Sequence, residues 1–254
     1  MILCIDVGNT NIVLGCIGDR QIIRTIRLTT NVHETSAEMA VRLSGIFDFY
    51  GIARSDFTGA IISSVVPSVT EPLREAVSEL LNVRCMVVGP GIKTGLNVRI
   101  DDPGTLAGDL LTGAVAAMNY YTLPAIVIDM GTAITITAID AKGCYRGGVI
   151  FPGVSLSYRA LSYSASLLPD ISFSVPKKVI GTNTVDAMRA GAVFGTASML
   201  DGLVTKMQAE IGETCTVIAT GGHASSIVPY CEHEIIVDDD LLLKGLYYLY
   251  RRNS

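Results

Sequence analysis

Two stretches of the chain, CIDVGNTNIVLG (residues 4–15) and VIDMGTAITITAI (residues 127–139), repeat one pattern. Each runs from apolar residues into an acid, then a glycine, then small hydroxyl or amide residues, then a second apolar run. Short β-branched runs joined by such a turn read as a strand–turn–strand unit. A repeat of such a unit at a period of 20–50 residues would mean a solenoid. Asp6 and Asp129 are much further apart than that, so the repeat predicts two similar lobes, each opening on the same hairpin.

The rest of each half supports this reading. RQIIRTIRLTT alternates apolar and polar residues and extends the first hairpin as a half-exposed strand. SAEMAVRLSGIFDFYG has helical spacing, with Ser36 expected as its N-cap and Gly51 at its stop. GAIISSVVP is a buried strand, SVTEPLREAVSELLN a helix, RCMVVG a strand, and TLAGDLLTGAVAAMNYY a long helix approached through Pro103 and Gly104. In the second half RGGVIFPG is a third strand, SLSYRALSYSASLLP a helix, and NTVDAMRAGAVFGTASMLDGLVTKMQAEIG one long packed helix. CTVIATGG is a buried strand, ASSIVPYC a short helix and LLLKGLYYLYRRN the closing helix. Alternating strands and helices call for an α/β fold whose later strands are mostly parallel. The expected lobes are residues 1–118 and 119–254, with a ligand in the cleft between them.

Composition excludes several classes. A formal charge of −5 argues against a nucleic-acid partner, which needs a basic face. The opening MILCID lacks a basic flank and runs into an acid, so a strand is expected there rather than a secretion signal. No apolar run approaches the ~20 residues of a membrane span. The six cysteines are scattered, without C-x-x-C pairs or zinc spacing, as in reduced thiols of a cytoplasmic protein.

The acid–glycine turns carry the candidate chemistry. Gly8 and Gly131 allow close approach of a bulky anion. Asn9, Thr10, Asn11, Thr132 and Thr135 offer neutral donors beside backbone N–H groups that can wrap phosphate oxygens. Asp6 and Asp129 would repel phosphate, and make sense if each holds a cation, as Mg²⁺ does with one or two carboxylates plus phosphate oxygens. Ordinary hairpin turns also favour Asp and Gly for conformational reasons; two copies in the same strand context favour a site. VIATGGHA, with Gly221 and Gly222, ends a strand and leads into a helix, a plausible seat for a nucleoside. No P-loop, protein-kinase or G-x-G-x-x-G signature is present. Asp109, after Ala107 and Gly108 in an otherwise apolar helix, is the candidate proton acceptor for a phosphoryl acceptor; the alternative is a first-turn acid stabilised by the helix dipole. Asp101 and Asp102 are expected as loop and cap residues. His33 and His223 lie in polar contexts without partners at ligand spacing, His233 sits between two glutamates where a surface is expected, and the DDD run at 238–240 is expected to be solvated.

In order and spacing, IDVGNTNIVLG, SSVVPSVTEPL, TGLNVRIDDP, DMGTAITITAID, GGVIFPGVSLSYRAL, VIGTNTVDAMRAG and VIATGG resemble the type III pantothenate kinases of the acetate and sugar kinase/heat-shock protein/actin superfamily. The resemblance implies two ribonuclease H-like, actin-like lobes and ATP-dependent phosphorylation of pantothenate, the first step of coenzyme A biosynthesis. It implies a homodimer that uses ATP, Mg²⁺ and a monovalent cation, K⁺ or NH₄⁺. By that likeness Asp6, Val7, Gly8, Asn9, Thr10, Asn11, Ile12 and Val13 would bind ATP phosphates, with Asp6 also at Mg²⁺. Thr132, Gly221 and Gly222 would contact the nucleotide, and Asp129 the monovalent cation. Asp109 would be the general base, and Ile100, Ala107, Gly108, Leu110 and Thr184 would line the acceptor pocket, Thr184 from the dimer partner.

The chain departs from the family pattern at three positions. Leu110 stands where the family has arginine, Ile100 where it has tyrosine, and Gly113 where it has asparagine. All three surround the acceptor pocket, and leucine cannot make a charge-assisted hydrogen bond to a carboxylate. A kinase of another hydroxylated acceptor, or a nucleotide-binding regulator that lost its chemistry, are therefore the competing readings.

Overall fold

A computed structural model describes residues 1–254. In chain order the strands are β1 (Ile2–Val7), β2 (Asn11–Gly18), β3 (Gln21–Thr29), β4 (Gly59–Ser64), β5 (Cys85–Val87), β6 (Asn97–Val98), β7 (Ala125–Met130), β8 (Ala133–Ile139), β9 (Cys144–Pro152), β10 (Thr216–Thr220) and β11 (Ile236–Val237). The helices are α1 (Ser36–Tyr50), α2 (Pro67–Leu81), α3 (Gly108–Tyr120), α4 (Val154–Ser164), α5 (Thr184–Ala190), α6 (Thr196–Ile211), α7 (Ala224–Ile227) and α8 (Leu241–Asn253). The chain forms two compact units: Met1–Gly95 with Asp102–Ala116 and Leu241–Ser254, and Leu96–Asp101 with Ala117–Asp240.

The first unit holds a five-stranded sheet in the order β3-β2-β1-β4-β5. β1 pairs antiparallel with β2 and parallel with β4. Leu3, Ile5, Val7, Ala60 and Ile62 share one face and join Met39, Leu43 and Phe47 of α1 and Val69, Leu73 and Val77 of α2 in a core. The opposite face is covered by α8, which packs on β1, β2 and β4. Glycines make that approach possible: a side chain at Gly59 would collide with Tyr250, and one at Gly245 with the backbone oxygen of Thr112 in α3.

The second unit repeats the order as β9-β8-β7-β10-β11 and adds β6 outside β9. β7 is antiparallel to β8 and parallel to β10. Its core gathers Ile126, Ile128, Ile134 and Ile136 against Val154 and Tyr158 of α4 and Leu200 and Val204 of α6.

Local details depart from expectation for identifiable reasons. The N-cap of α1 is Thr35, not Ser36, because Glu38 closes a capping box with it. Pro103–Thr105 forms a separate 3₁₀ turn capped by Asp102, and the long helix starts only at Gly108. The segment expected as one helix over 183–212 is broken by a π turn at Gly191–Gly195, whose wider ring shifts the side-chain phase between α5 and α6. Asp238 is buried rather than solvated and accepts a 2.6 Å hydrogen bond from the Tyr121 hydroxyl.

Because Gly245 faces rigid backbone, Gly245→Ala has no flexible neighbour to displace. We expect it to lower unfolding free energy by about 1–3 kcal/mol in urea titrations, with disruption of the α8–α3 contact at Thr112.

Candidate active site

In the first unit the acid–glycine turn is closed by Gly8 N–H donating to the Asn11 carbonyl at 2.9 Å. Thr30 clamps it from the end of β3, its hydroxyl donating to the Gly8 carbonyl at 2.7 Å. Asn9 and Thr10 at the tip are exposed, whereas Val7 and Ile12 are buried in the core. Asn11, Ile12 and Val13 already belong to β2, with Val13 opposite Asp6 and Ile12 opposite Val7.

Asp6 lies on the sheet face away from α1 and α2, since Ile5 and Val7 on either side of it point into that core. Its parallel neighbour in β4 is Ser63. Gly108, at the start of α3, lies above that serine: a Cβ there would stand 3.1 Å from the Ser63 hydroxyl oxygen. Asp109 follows at once. The first unit thus collects Asp6, Ser63, Gly108 and Asp109 at the C-terminal ends of two parallel strands, where open α/β sheets place ligands.

The Asp109 carboxyl is partly buried, and its Oδ1 accepts the Leu110 N–H at 2.7 Å. Burial raises its pKa above the usual carboxylate range, and the backbone hydrogen bonds oppose that only in part. Such a carboxyl is a stronger base once ionised. Ala107 and Leu110 are also partly buried. Gly113 is buried one turn along, on the stretch of α3 that packs with α8.

In the second unit the corresponding turn is closed by Gly131 N–H donating to the Ala133 carbonyl at 3.0 Å. Gly131 and Thr132 are exposed, and Asp129 is partly buried opposite Thr220 of β10. Two more glycines press on this turn. Gly221, with φ +95°, would drive a Cβ to 2.6 Å from Met130 N and 2.7 Å from Asp129 Oδ1. Gly153 donates its N–H to the Thr132 carbonyl at 3.0 Å, and any side chain there would strike the backbone of Gly131. Gly222 is open, with nothing within 4 Å of a built Cβ.

Sequence reasoning missed three features here. Gly153 was not among the expected site residues, although the tight PG step before a helix signals it. His223, read as isolated, is 3.1 Å through Nε2 from the Ser155 hydroxyl and packs on Phe173 with ring centroids 4.5 Å apart. Burial lowers its pKa, favouring the neutral ring. Ser63 carried no local signal at all.

Thr184 lies apart from both turns in sequence, at the first position of α5, where Asn183 caps the helix by accepting the Asp186 N–H at 2.9 Å. It borders a cavity of about 810 Å³ lined by Phe151, Tyr158, Met188 and Met199 and by the glycines of the π turn. Ile100 belongs to the second unit and packs near Gly147 of β9.

A profile of the type III pantothenate kinase family matches residues 2–206. The type III pantothenate kinase of Halalkalibacterium halodurans is 44% identical over 253 residues, covering 100% of both chains. This chain belongs to the type III pantothenate kinase family. Among solved structures it is similar to component A of the (R)-2-hydroxyglutaryl-CoA dehydratase of Acidaminococcus fermentans, at 15% identity, with 100% and 99% of the two chains covered and a TM-score of 0.57. A ROK family protein from Streptococcus pneumoniae gives 13% identity, 99% and 98% coverage and a TM-score of 0.54. These two likenesses are of fold. With the repeated strand order, they make each unit of this pantothenate kinase family member a ribonuclease H-like lobe of the actin type.

The raised Asp109 pKa has a thermodynamic consequence. Between the ordinary carboxylate range and the raised folded value, the folded chain keeps a proton that the unfolded chain releases. Its stabilising contribution is full below the unfolded pKa and is lost as pH rises through the folded one. Asp109→Asn should therefore melt higher than the parent near pH 7, and the gap should close below about pH 4. Melting curves across pH check this, and an Asn variant that melts lower at neutral pH would contradict it.

Proposed function

We propose that this protein transfers the γ-phosphoryl group of ATP to the primary hydroxyl of pantothenate, the first step of coenzyme A biosynthesis. The observation that carries this reading is Asp109, a partly buried acid on the first turn of α3 next to Gly108, which lies over Ser63 opposite Asp6, in a chain matched end to end by a type III pantothenate kinase. A regulator without transfer chemistry has no use for an acid held there against its desolvation cost.

In this proposal the ionised Asp109 takes the proton of the acceptor hydroxyl as the oxygen attacks phosphorus. Ala107 and Gly108 let the acceptor approach the helix backbone, and Leu110 and Ile100 offer it apolar surface. The segment from Asp6 through Val7, Gly8, Asn9, Thr10, Asn11 and Ile12 to Val13 holds phosphate oxygens through backbone N–H groups and the exposed Asn9 and Thr10. Thr132 contributes in the same way from the second turn, and Gly221 and Gly222 receive the nucleoside.

The metal requirement fits the residues present. Asp6 would be the carboxylate that holds Mg²⁺, with nucleotide phosphate oxygens supplying the other protein-independent ligands such an ion takes. Bound Mg²⁺ supplies charge neutralisation on the phosphates. Asp129, pressed by Gly221, is the monovalent-cation acid.

The assembly we propose is a homodimer in which Thr184 of the partner subunit closes the acceptor pocket. Four exposed apolar residues of the second unit support a covered face: Tyr163, Leu167, Ile150 and Ile180 are 94%, 92%, 71% and 79% exposed. Six free cysteines support a reducing, cytoplasmic setting, with burial pushing the thiols of Cys85 and Cys231 up to about 12.

With ATP, Mg²⁺, K⁺ and pantothenate, ADP and phosphopantothenate should form in equal amounts. Turnover confined to another acceptor in a panel would replace pantothenate in this reading. Asp109→Asn should lose roughly 10²–10⁴-fold in kcat with nucleotide affinity retained; retained turnover would remove Asp109 from the chemistry. Activity should fall when K⁺ is omitted, and Asp129→Asn should abolish that dependence. Sedimentation at twice the 26.9 kDa chain mass checks the dimer.

A further inference from the structure

Two segments of the second unit close over its acid–glycine turn, and a histidine to which the chemistry proposed above gives no task joins them. One segment ends in Gly221, where a Cβ would stand 2.7 Å from Asp129 Oδ1. The other passes through Gly153, whose N–H donates to the Thr132 carbonyl at 3.0 Å. His223 follows the first glycine closely and Ser155 the second. The contact between His223 Nε2 and the Ser155 hydroxyl, 3.1 Å long, links the two segments. Phe173, from the stretch between α4 and α5, packs on the imidazole with ring centroids 4.5 Å apart. The ring is thus fixed at one edge by a hydroxyl and against an aromatic side chain. Its other nitrogen, Nδ1, is the one nearer the backbone that continues from Gly222, and it makes no hydrogen bond. Gly222 itself is exposed, with nothing within 4 Å of a built Cβ. An open glycine surface and an unpaired ring nitrogen therefore adjoin.

Stability gives little reason for this arrangement. Ser155 is exposed, and a hydrogen bond between groups that water can reach adds little net free energy. The repeated frame supplies a comparison. In the first unit β4 takes the place of β10, and the chain runs from Ser64 through Val65 and Val66 into Pro67 of α2. The glycine pair and the imidazole are absent there; they occur together in the second unit.

We propose that His223 is a specificity-determining residue for the nucleotide: with its ring held by Ser155 and Phe173, its Nδ1 hydrogen-bonds a ribose hydroxyl of ATP seated on Gly221 and Gly222. The proposal rests on the nucleoside seat of the kinase reading above and adds the residue that reads the sugar there. Burial lowers the pKa of the imidazole, and a neutral ring suits an uncharged hydroxyl better than a phosphate, which would favour imidazolium. A neutral imidazole has one donor nitrogen and one acceptor, and a hydroxyl answers either. Whichever role Nε2 takes toward Ser155, Nδ1 takes the other toward the sugar.

The test is direct titration of the protein with ATP, 2′-deoxy-ATP and 3′-deoxy-ATP in Mg²⁺ without acceptor, so that phosphoryl transfer is not needed. At least one deoxy analogue should bind roughly three- to tenfold more weakly than ATP, the range for one hydrogen bond between uncharged groups. Equal binding of all three by the parent overturns the proposal without any substitution. His223→Ala should abolish the difference and bind the weaker analogue as the parent does. In His223→Asn the amide takes the place of Nδ1, and most of the preference should remain. In His223→Gln the amide reaches the place of Nε2 instead, and the preference should be lost. A preference that survives in His223→Ala, or that the Gln variant keeps and the Asn variant loses, overturns the proposal, since the ring is then a helix-entry contact with Ser155. ATP binding with no transfer once pantothenate is added would fail the kinase reading, and the binding ratio would still decide the role of His223. A parent that binds no ATP would fail both.

Discussion

The parallel pairing of β1 with β4 is the interaction on which the candidate site depends. It sets Asp6 level with Ser63, and so fixes which polar groups share the face beneath α3. A slip of one residue would turn Ser63 into the α1–α2 core and bring Ile62 under Gly108. The register is held because Ala60 and Ile62 face the α1–α2 core, and a slip would put the Ser63 hydroxyl there instead. The β1–β2 hairpin adds the second restraint, since the Gly8–Asn11 hydrogen bond ends β1 immediately after the acid.

Much of this was legible in the sequence because it is written locally. The acid–glycine hairpins, the half-exposed β3, the helices α1 and α2 and the closing α8 follow from periodicity and turn residues within short windows. What was not legible is contact between segments distant in the chain. Nothing in LLLKGLYYLYRRN says that α8 returns to the first sheet, where Gly59 makes room for Tyr250, or that Gly245 of α8 meets Thr112 of α3. The addition of β6 to the edge of the second sheet rests on only two residues, Asn97 and Val98. The π turn in GAVFG carries no local sign that separates it from α-helix. Ser63 looks like any polar residue at a strand end; its burial and lack of a partner depend on Gly108, 45 positions away by number.

The three departures from the family pattern differ physically. Leu110 follows the proposed base and is partly buried, so leucine in place of the arginine expected there would remove a donor without leaving a polar vacancy. Gly113 is buried on the stretch of α3 that meets α8, where a small residue eases close packing. Ile100 belongs to the second unit and contacts the sheet edge near Gly147. Acceptor recognition that shifts from charge to apolar contact would weaken selectivity for a carboxylate more than it weakens binding of the hydroxyl end, because a missing donor penalises only the group it would have paired.

Both units carry the same acid, the same hairpin and a hydroxyl at the same register, yet the surroundings of the two turns differ. The difference lies in what is packed over each acid. In the first unit Gly108 leaves open space above the hydroxyl and is followed by a second carboxyl, Asp109, so protons have somewhere to go. In the second, Gly221 fits against the Asp129 carboxylate and Gly153 against the turn's backbone, with no further acid on the adjoining helix start. A carboxylate with a glycine backbone against one side would suit the fixed ion proposed for Asp129, whereas the open space over Ser63 and the second acid beside it would suit the proton transfer proposed for Asp109. The asymmetry proposed between the two turns would therefore follow from glycine placements on an otherwise repeated frame.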